Sequence, residues 1–133
     1  MKEELTKLLD NAYAPYSTYK VASAVKTTDG HIFYGVNVEN ASYGASICAE
    51  RSAITNAITN GYKKNDLNAI YLLTSSNKIA YPCFLCRQVI SEFFTDDANL
   101  IIYSDDEDKI MQVKDLMPYP FTKEDLELWN PGL

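Results

Sequence analysis

Cys83 and Cys86 stand three residues apart in "YPCFLC" (81–86), directly behind Pro82, and the third cysteine of the chain, Cys48, opens the stretch "CAERSAITNAITN" (48–60). Residues i and i+3 share a helix face, so a helix starting near Pro82 lets Cys83 and Cys86 converge on one point. The first turn of a helix carries unpaired N–H groups and the positive end of the dipole, which lower a thiol pKa towards the metal-binding thiolate. Three fates are open to such thiols: inert core residues, a redox pair, or metal ligands. An odd count argues against a disulfide framework. Cys48, at the threshold of a second helix, favours a metal, because two helix starts on one side of a sheet bring three thiolates together. Three thiolates match a Zn²⁺ site with one open position. The one histidine, His31, has no spacing relation to the cysteines and reads as a partly exposed strand residue. The fourth position is therefore expected to admit water and activate it.

Glu50 lies two positions after Cys48. On a regular helix, side chains at i and i+2 diverge by about 200°, so Glu50 is poorly placed as a fellow ligand. At a helix threshold it can instead face the pocket beneath the metal and shuttle protons. A lone glutamate in a first helical turn is otherwise a favourable partner of the dipole. Three thiolates on a divalent ion carry a net −1, and Arg51 is the nearest source of compensating charge.

The elements that must position these residues alternate. Residues 2–13 read as an amphipathic helix with Leu5, Leu8, Leu9 and Ala12 at helical spacing. "VASAVKT" and "HIFYGVN" flank the turn signal "TDG", which predicts a β-hairpin over 21–37. A helix over 48–60 stops at Gly61. "AIYLLTS" (69–75) reads as a buried strand, and Pro82 opens a helix reaching Phe94 with Cys86, Val89, Ile90, Phe93 and Phe94 inward. "NLIIYS" (99–104) is a further strand, "IMQVKDL" (110–116) a fifth, and "TKEDLELW" (122–129) a short helix capped by Thr122. The pattern predicts an α/β fold, a three-layer α/β/α sandwich around a mixed sheet of about five strands.

With 133 residues, 47% of them apolar, and no linker, repeat or low-complexity tract, the sequence suits a single domain over 1–133. The formal charge of −6 is concentrated in acidic residues towards the C-terminus. Nucleic-acid binders carry basic stripes, and none is present; the acidity equally serves solubility. No apolar run reaches the roughly 20 residues that cross a bilayer, and "MKEELTKLLDNAYAP" is neither a signal nor a transit peptide. A cytoplasmic protein without membrane or nucleic-acid partners is the expectation.

"NVENASYGASICAERSAI" (37–54) together with "PCFLCRQVISEF" (82–93) resembles the small, zinc-dependent cytidine deaminases, in the three-cysteine version of the base-deaminase signature. The likeness extends over most of the chain, from "AYAPYSTYKV" (12–21) to "LMPYPFTKEDL" (116–126). It implies that Cys48, Cys83 and Cys86 hold zinc and that Glu50 moves protons. It implies further that Asn37 and Glu39 bind the ribose hydroxyls, that the Ala49 main chain reads the pyrimidine edge and that Tyr19 packs on the base. Phe121 would complete the pocket of a neighbouring subunit in a homotetramer, while Arg51 and Gln88 would support the cysteines without touching the metal. Phe84, where the family has a small residue, and Ala22, where it has glycine, depart from the pattern. The reaction implied is hydrolytic deamination of cytidine and deoxycytidine in pyrimidine salvage. An aminohydrolase for another cytosine nucleoside such as blasticidin S and a non-catalytic zinc-stabilised binding module are the competing readings.

Overall fold

The "TDG" signal folds as expected, joining β1 (Val21–Thr27) to β2 (Ile32–Val36) in an antiparallel hairpin. Gly30 takes φ 93° and returns its N–H to the Thr27 carbonyl at 3.0 Å, a left-handed turn that glycine enters without a Cβ penalty. The computed structural model describes residues 1–129. Beyond the hairpin, β3 (Leu67–Thr74) pairs antiparallel with β1 and parallel with β4 (Phe94–Ile102), and β5 (Lys109–Gln112) closes the far edge antiparallel to β4. The five strands run in the order β2-β1-β3-β4-β5. The sheet is mixed, as the sequence predicted.

Each face of the sheet has its own core. On one side α1 (Lys2–Leu8) buries Leu5 against Ala22, Ala24 and Leu73. On the other, α2 (Ala49–Thr59) and α3 (Phe84–Phe93) cover Val25, Ile70, Leu72, Leu100 and Ile102 with Ala53, Ile54, Ala57 and Ile90. These two layers complete the α/β/α sandwich. Ala22 is fully buried in the α1 core.

Gly35 sets how closely α2 lies on β2. A Cβ built there would sit 2.3 Å from the Ala53 nitrogen and 2.6 Å from the Ala49 carbonyl oxygen. Both are backbone atoms that cannot swing away, so only glycine permits this approach. At its other end α2 stops on Gly61, φ 98°. The Gly61 N–H meets the Ile58 carbonyl at 3.0 Å and the Tyr62 N–H meets Ala57 at 3.3 Å, the paired bonds of a Schellman cap.

Three boundaries differ from the sequence reading by several residues. The first helix ends at Leu8, with one 3₁₀ turn to Asn11, rather than at residue 13. Tyr13 is drawn out to bridge Val38, its N–H donating to the Asn37 carbonyl at 3.0 Å and its carbonyl accepting from Glu39 at 2.8 Å. β4 begins at Phe94, five residues early, because Phe94 pairs with Leu67 before a register shift carries the ladder to Ala69 and Asn99. The fifth strand is only half a strand. Val113 and Leu116, spaced three apart, are both buried in a short helical turn, α4 (Val113–Leu116), and only helical geometry puts both on one side. The last helix falls where expected: α5 (Lys123–Trp129) follows Thr122, whose N–H donates to the Asp125 carboxylate at 2.8 Å, half of a capping box, and it buries no residue.

Candidate active site

α2 and α3 both begin with a cysteine. Cys48 and Cys83 occupy the N-cap positions, in extended conformation, with Ala49 and Phe84 as the first helical residues. Because Cys48 lies before the first helical turn, the divergence of i and i+2 side chains does not apply, and Cys48 and Glu50 line one cavity together. Cys86, a turn into α3, is fully buried and donates its N–H to the Cys83 sulfur at 3.5 Å. The three sulfurs lie within 4.8 Å of one another, and Cys48 Sγ is 3.8 Å from Cys83 Sγ. All three are free thiols.

This donor set fits zinc. Zn–S bonds of about 2.3 Å at tetrahedral angles hold sulfurs about 3.8 Å apart. Among the described residues no histidine, aspartate or glutamate joins the cluster. His31 lies at the hairpin turn, its Nδ1 3.1 Å from Asp29 and 2.7 Å from the Tyr62 hydroxyl.

The electrostatics are those of a thiolate pocket. The Cys86 thiol, followed by the Arg51 guanidinium, holds Cys48 down at about 5. The same contact with Cys48, together with burial, drives the Cys86 thiol upward. Arg51 Nη2 lies 3.8 Å from Cys48 Sγ and 3.5 Å from the Ser46 carbonyl, while its Nε is buried without a partner. Glu50 is 4% exposed, and burial raises its carboxyl to about 7.

The cavity measures about 350 Å³ and runs from Cys48, Glu50 and Cys83 past Ala49, Leu72, Thr74 and Tyr19 to Asn37, Glu39 and Ser17. Asn37 Oδ1 accepts the Val21 N–H at 2.8 Å and Nδ2 donates to the Tyr19 carbonyl at 2.8 Å. That pairing fixes the amide orientation and leaves one donor and one acceptor position free. The Glu39 carboxylate receives the Tyr16 and Ser17 N–H groups at 3.0 and 3.1 Å, and also the Ser17 hydroxyl. These bonds, the hydroxyl first, hold Glu39 below the usual carboxylate range.

Seven of the predicted residues therefore meet at one cavity: Cys48, Cys83, Glu50, Ala49, Tyr19, Asn37 and Glu39. Cys86 and Arg51 sit behind them on the sulfur cluster. Two are placed elsewhere. Gln88 turns its amide to the Phe121 main chain, donating to its carbonyl at 2.7 Å and accepting its N–H at 3.3 Å, instead of bonding a cysteine. Phe121 is 58% exposed and does not line the cavity of its own chain. Phe84 also points outward, with the Arg87 guanidinium 4.6 Å over its ring. The sequence reading passed over Ser17, hidden in a Tyr- and Thr-rich loop, and Gly35. A glycine interrupting an apolar strand was the available signal for the latter.

Residues 1–102 match the family model described as the cytidine and deoxycytidylate deaminase zinc-binding region. The chain belongs to this family. It is 35% identical over 125 residues to a cytidine deaminase of Halalkalibacterium halodurans, an alignment covering 93% of each chain. It is also 35% identical to a cytidine deaminase of Mycoplasma genitalium, covering 91% of this chain and 92% of that one. Among solved structures, a cytidine deaminase from Burkholderia pseudomallei superposes with a TM-score of 0.85 at 37% identity, over 90% of this chain and 94% of that one. The chain thus carries a zinc-binding deaminase domain, and the three-cysteine cluster is its potential metal site. No described helix is long and apolar enough to cross a membrane.

Proposed function

We propose that this protein, as one domain over residues 1–133, hydrolyses cytidine and 2′-deoxycytidine to uridine and 2′-deoxyuridine with release of ammonia. The observation that carries the reading is the junction of the three-sulfur cluster with the buried Glu50 at one end of a nucleoside-sized cavity. Zinc held by Cys48, Cys83 and Cys86 supplies the Lewis acidity that makes a water nucleophilic near neutral pH.

The residues of the chain do the rest. Glu50, with its carboxyl raised to about 7, can both take and give a proton at neutral pH. It accepts a proton from the attacking water and delivers it to N3 of the cytosine ring. It then takes the second proton, from the hydroxyl now on C4, and passes it to the amino nitrogen as the C4–N bond breaks. The water oxygen thus becomes the C4 carbonyl oxygen, one water hydrogen stays on N3 of uridine and the other leaves in ammonia. Arg51 offsets the thiolate charge through Cys48. The Ala49 main chain faces the base edge, and Tyr19 packs on the ring. Asn37 and Glu39 offer their free positions to the sugar hydroxyls. Because Glu39 is an anion, nucleosides are accepted over nucleotides.

The reading extends to assembly and place. Tyr81, Phe84, Leu85, Tyr119 and Phe121 are exposed, and obligate interfaces are hydrophobic. They support a homotetramer in which Phe121 enters a neighbour's pocket, with cytoplasmic pyrimidine salvage as the setting. A fully active monomer in light scattering at assay concentration contradicts that assembly. The test of function is a spectrophotometric assay on cytidine, deoxycytidine and cytidine monophosphate. Both nucleosides should turn over and the nucleotide should not. Inactivity on both nucleosides would overturn the proposal.

A further inference from the structure

Asn37 and Glu39 do not lie free at the sugar end of the cavity; the loop before β1 grips them. Oε1 of Glu39 accepts two main-chain N–H groups, from Tyr16 and Ser17, and Oε2 accepts the Ser17 hydroxyl. A carboxylate offers about four lone-pair positions, so a single one, on Oε2, remains. The Ser17 hydroxyl also accepts the Tyr19 N–H at 3.0 Å. One side chain thus ties the carboxylate to the aromatic residue on the cavity wall. Between them Thr18 takes φ 58°, a left-handed conformation that is uncommon for a β-branched residue. It is held there by its N–H on the Ala14 carbonyl at 3.0 Å and its hydroxyl on the Ser17 carbonyl at 2.6 Å.

Resting on the cytidine deaminase reading, which gives the sugar hydroxyl to Glu39, we propose that Ser17 is a positioning residue whose hydroxyl fixes Glu39 with one acceptor position open, and so sets how strictly a free sugar hydroxyl is required at that point. A hydroxyl capped as an ether has no proton to donate there. A phosphate ester also sets a second negative charge against a carboxylate that its donors keep ionised. Without the Ser17 hydroxyl, Glu39 is gripped along one oxygen only and can turn, so the sugar loses its partner while the base end of the cavity keeps its own residues.

The test compares cytidine with 2′,3′-dideoxycytidine, which lacks both ring hydroxyls, in wild type, Ser17→Ala, Ser17→Thr, Glu39→Gln and the double variant Ser17→Ala with Glu39→Gln. Ser17→Ala should lower kcat/KM for cytidine about tenfold, chiefly through KM, as expected for one lost polar contact. The same change should cost dideoxycytidine less than about threefold. Ser17→Thr, which keeps the hydroxyl, should restore most of the loss, and the double variant should be no worse than Glu39→Gln alone. Ser17→Gly, which also removes the hydroxyl, serves in place of Ser17→Ala if the latter fails to fold. Equal losses on both substrates, or losses that multiply in the double variant, overturn the role of Ser17. A wild type that leaves cytidine unchanged overturns the deaminase reading, and this proposal with it.

Discussion

The two ends of the cavity are built in opposite ways. At the metal end, Cys48 and Cys83 are N-caps of two helices packed on one face of the sheet, and their sulfurs meet at 3.8 Å. At the opposite end, proposed to take the sugar, Asn37 and Glu39 come from an irregular segment, and most of their hydrogen-bonding capacity is spent on residues 16–21. The metal end depends on where rigid elements begin, the sugar end on a closed network between two loops. Rigid elements hold a reacting centre more tightly than loops do, while the loop network is the part proposed to choose among sugar substituents. The contrast explains why the close approach at Gly35 matters: it seats α2, and with it Cys48 and Glu50, against β2.

Removing a ligand breaks the metal end most severely. Cys83→Ala should abolish stoichiometric zinc, read by metal analysis of the purified protein, and with it turnover. Full zinc occupancy in that variant would remove Cys83 from the ligand set. Breaking the sugar end should look different. Asn37→Ala orphans the Val21 N–H and frees the Tyr19 carbonyl, a loss of about 1–3 kcal/mol. KM for cytidine should rise roughly tenfold or more while zinc content stays at one per chain. Zinc loss in Asn37→Ala would show that the two ends are not separable.

The same contrast governs what the sequence made legible. Cys48, Cys83 and Cys86 could be brought together on paper because cysteine chemistry is specific and helix starts carry strong local signals, such as Pro82 before α3 and Gly61 after α2. The mixed sheet was readable because "VASAVKT", "AIYLLTS" and "NLIIYS" are strand-like apolar stretches separated by a hairpin turn or by helices. The sugar end had no such code. Tyr13 leaves its helix only because its main chain pairs with residues 37–39, a contact across the fold that no window of sequence contains. Ser17 was invisible for the same reason: its importance lies in Glu39, 22 residues away. Gln88 followed the family pattern in type but bonds the Phe121 main chain, which shows that a residue carried over by likeness still has to be located in space.

The smallest expected effect lies at the hairpin turn. There the hydroxyl of Thr27, then His31 and Tyr62, hold the Asp29 carboxyl far below its usual range. A depressed carboxyl contributes stability above its unfolded pKa, about 4, and loses it as pH falls through the folded value. Between pH 5 and 3 the melting temperature of wild type should therefore fall slightly more than that of Asp29→Asn, with activity at neutral pH the same in both. Identical acid slopes would assign no role to this cluster.

The most direct test of the central claim, that Glu50 moves the protons of a reaction centred on the three-cysteine site, is kcat for cytidine in zinc-replete wild type and Glu50→Gln measured side by side with metal content. Glutamine keeps the size and buried position but cannot carry the proton. The account predicts a fall of about 10²-fold or more with one zinc per chain retained. A Glu50→Gln enzyme within a few-fold of wild type, at full zinc occupancy, would contradict it.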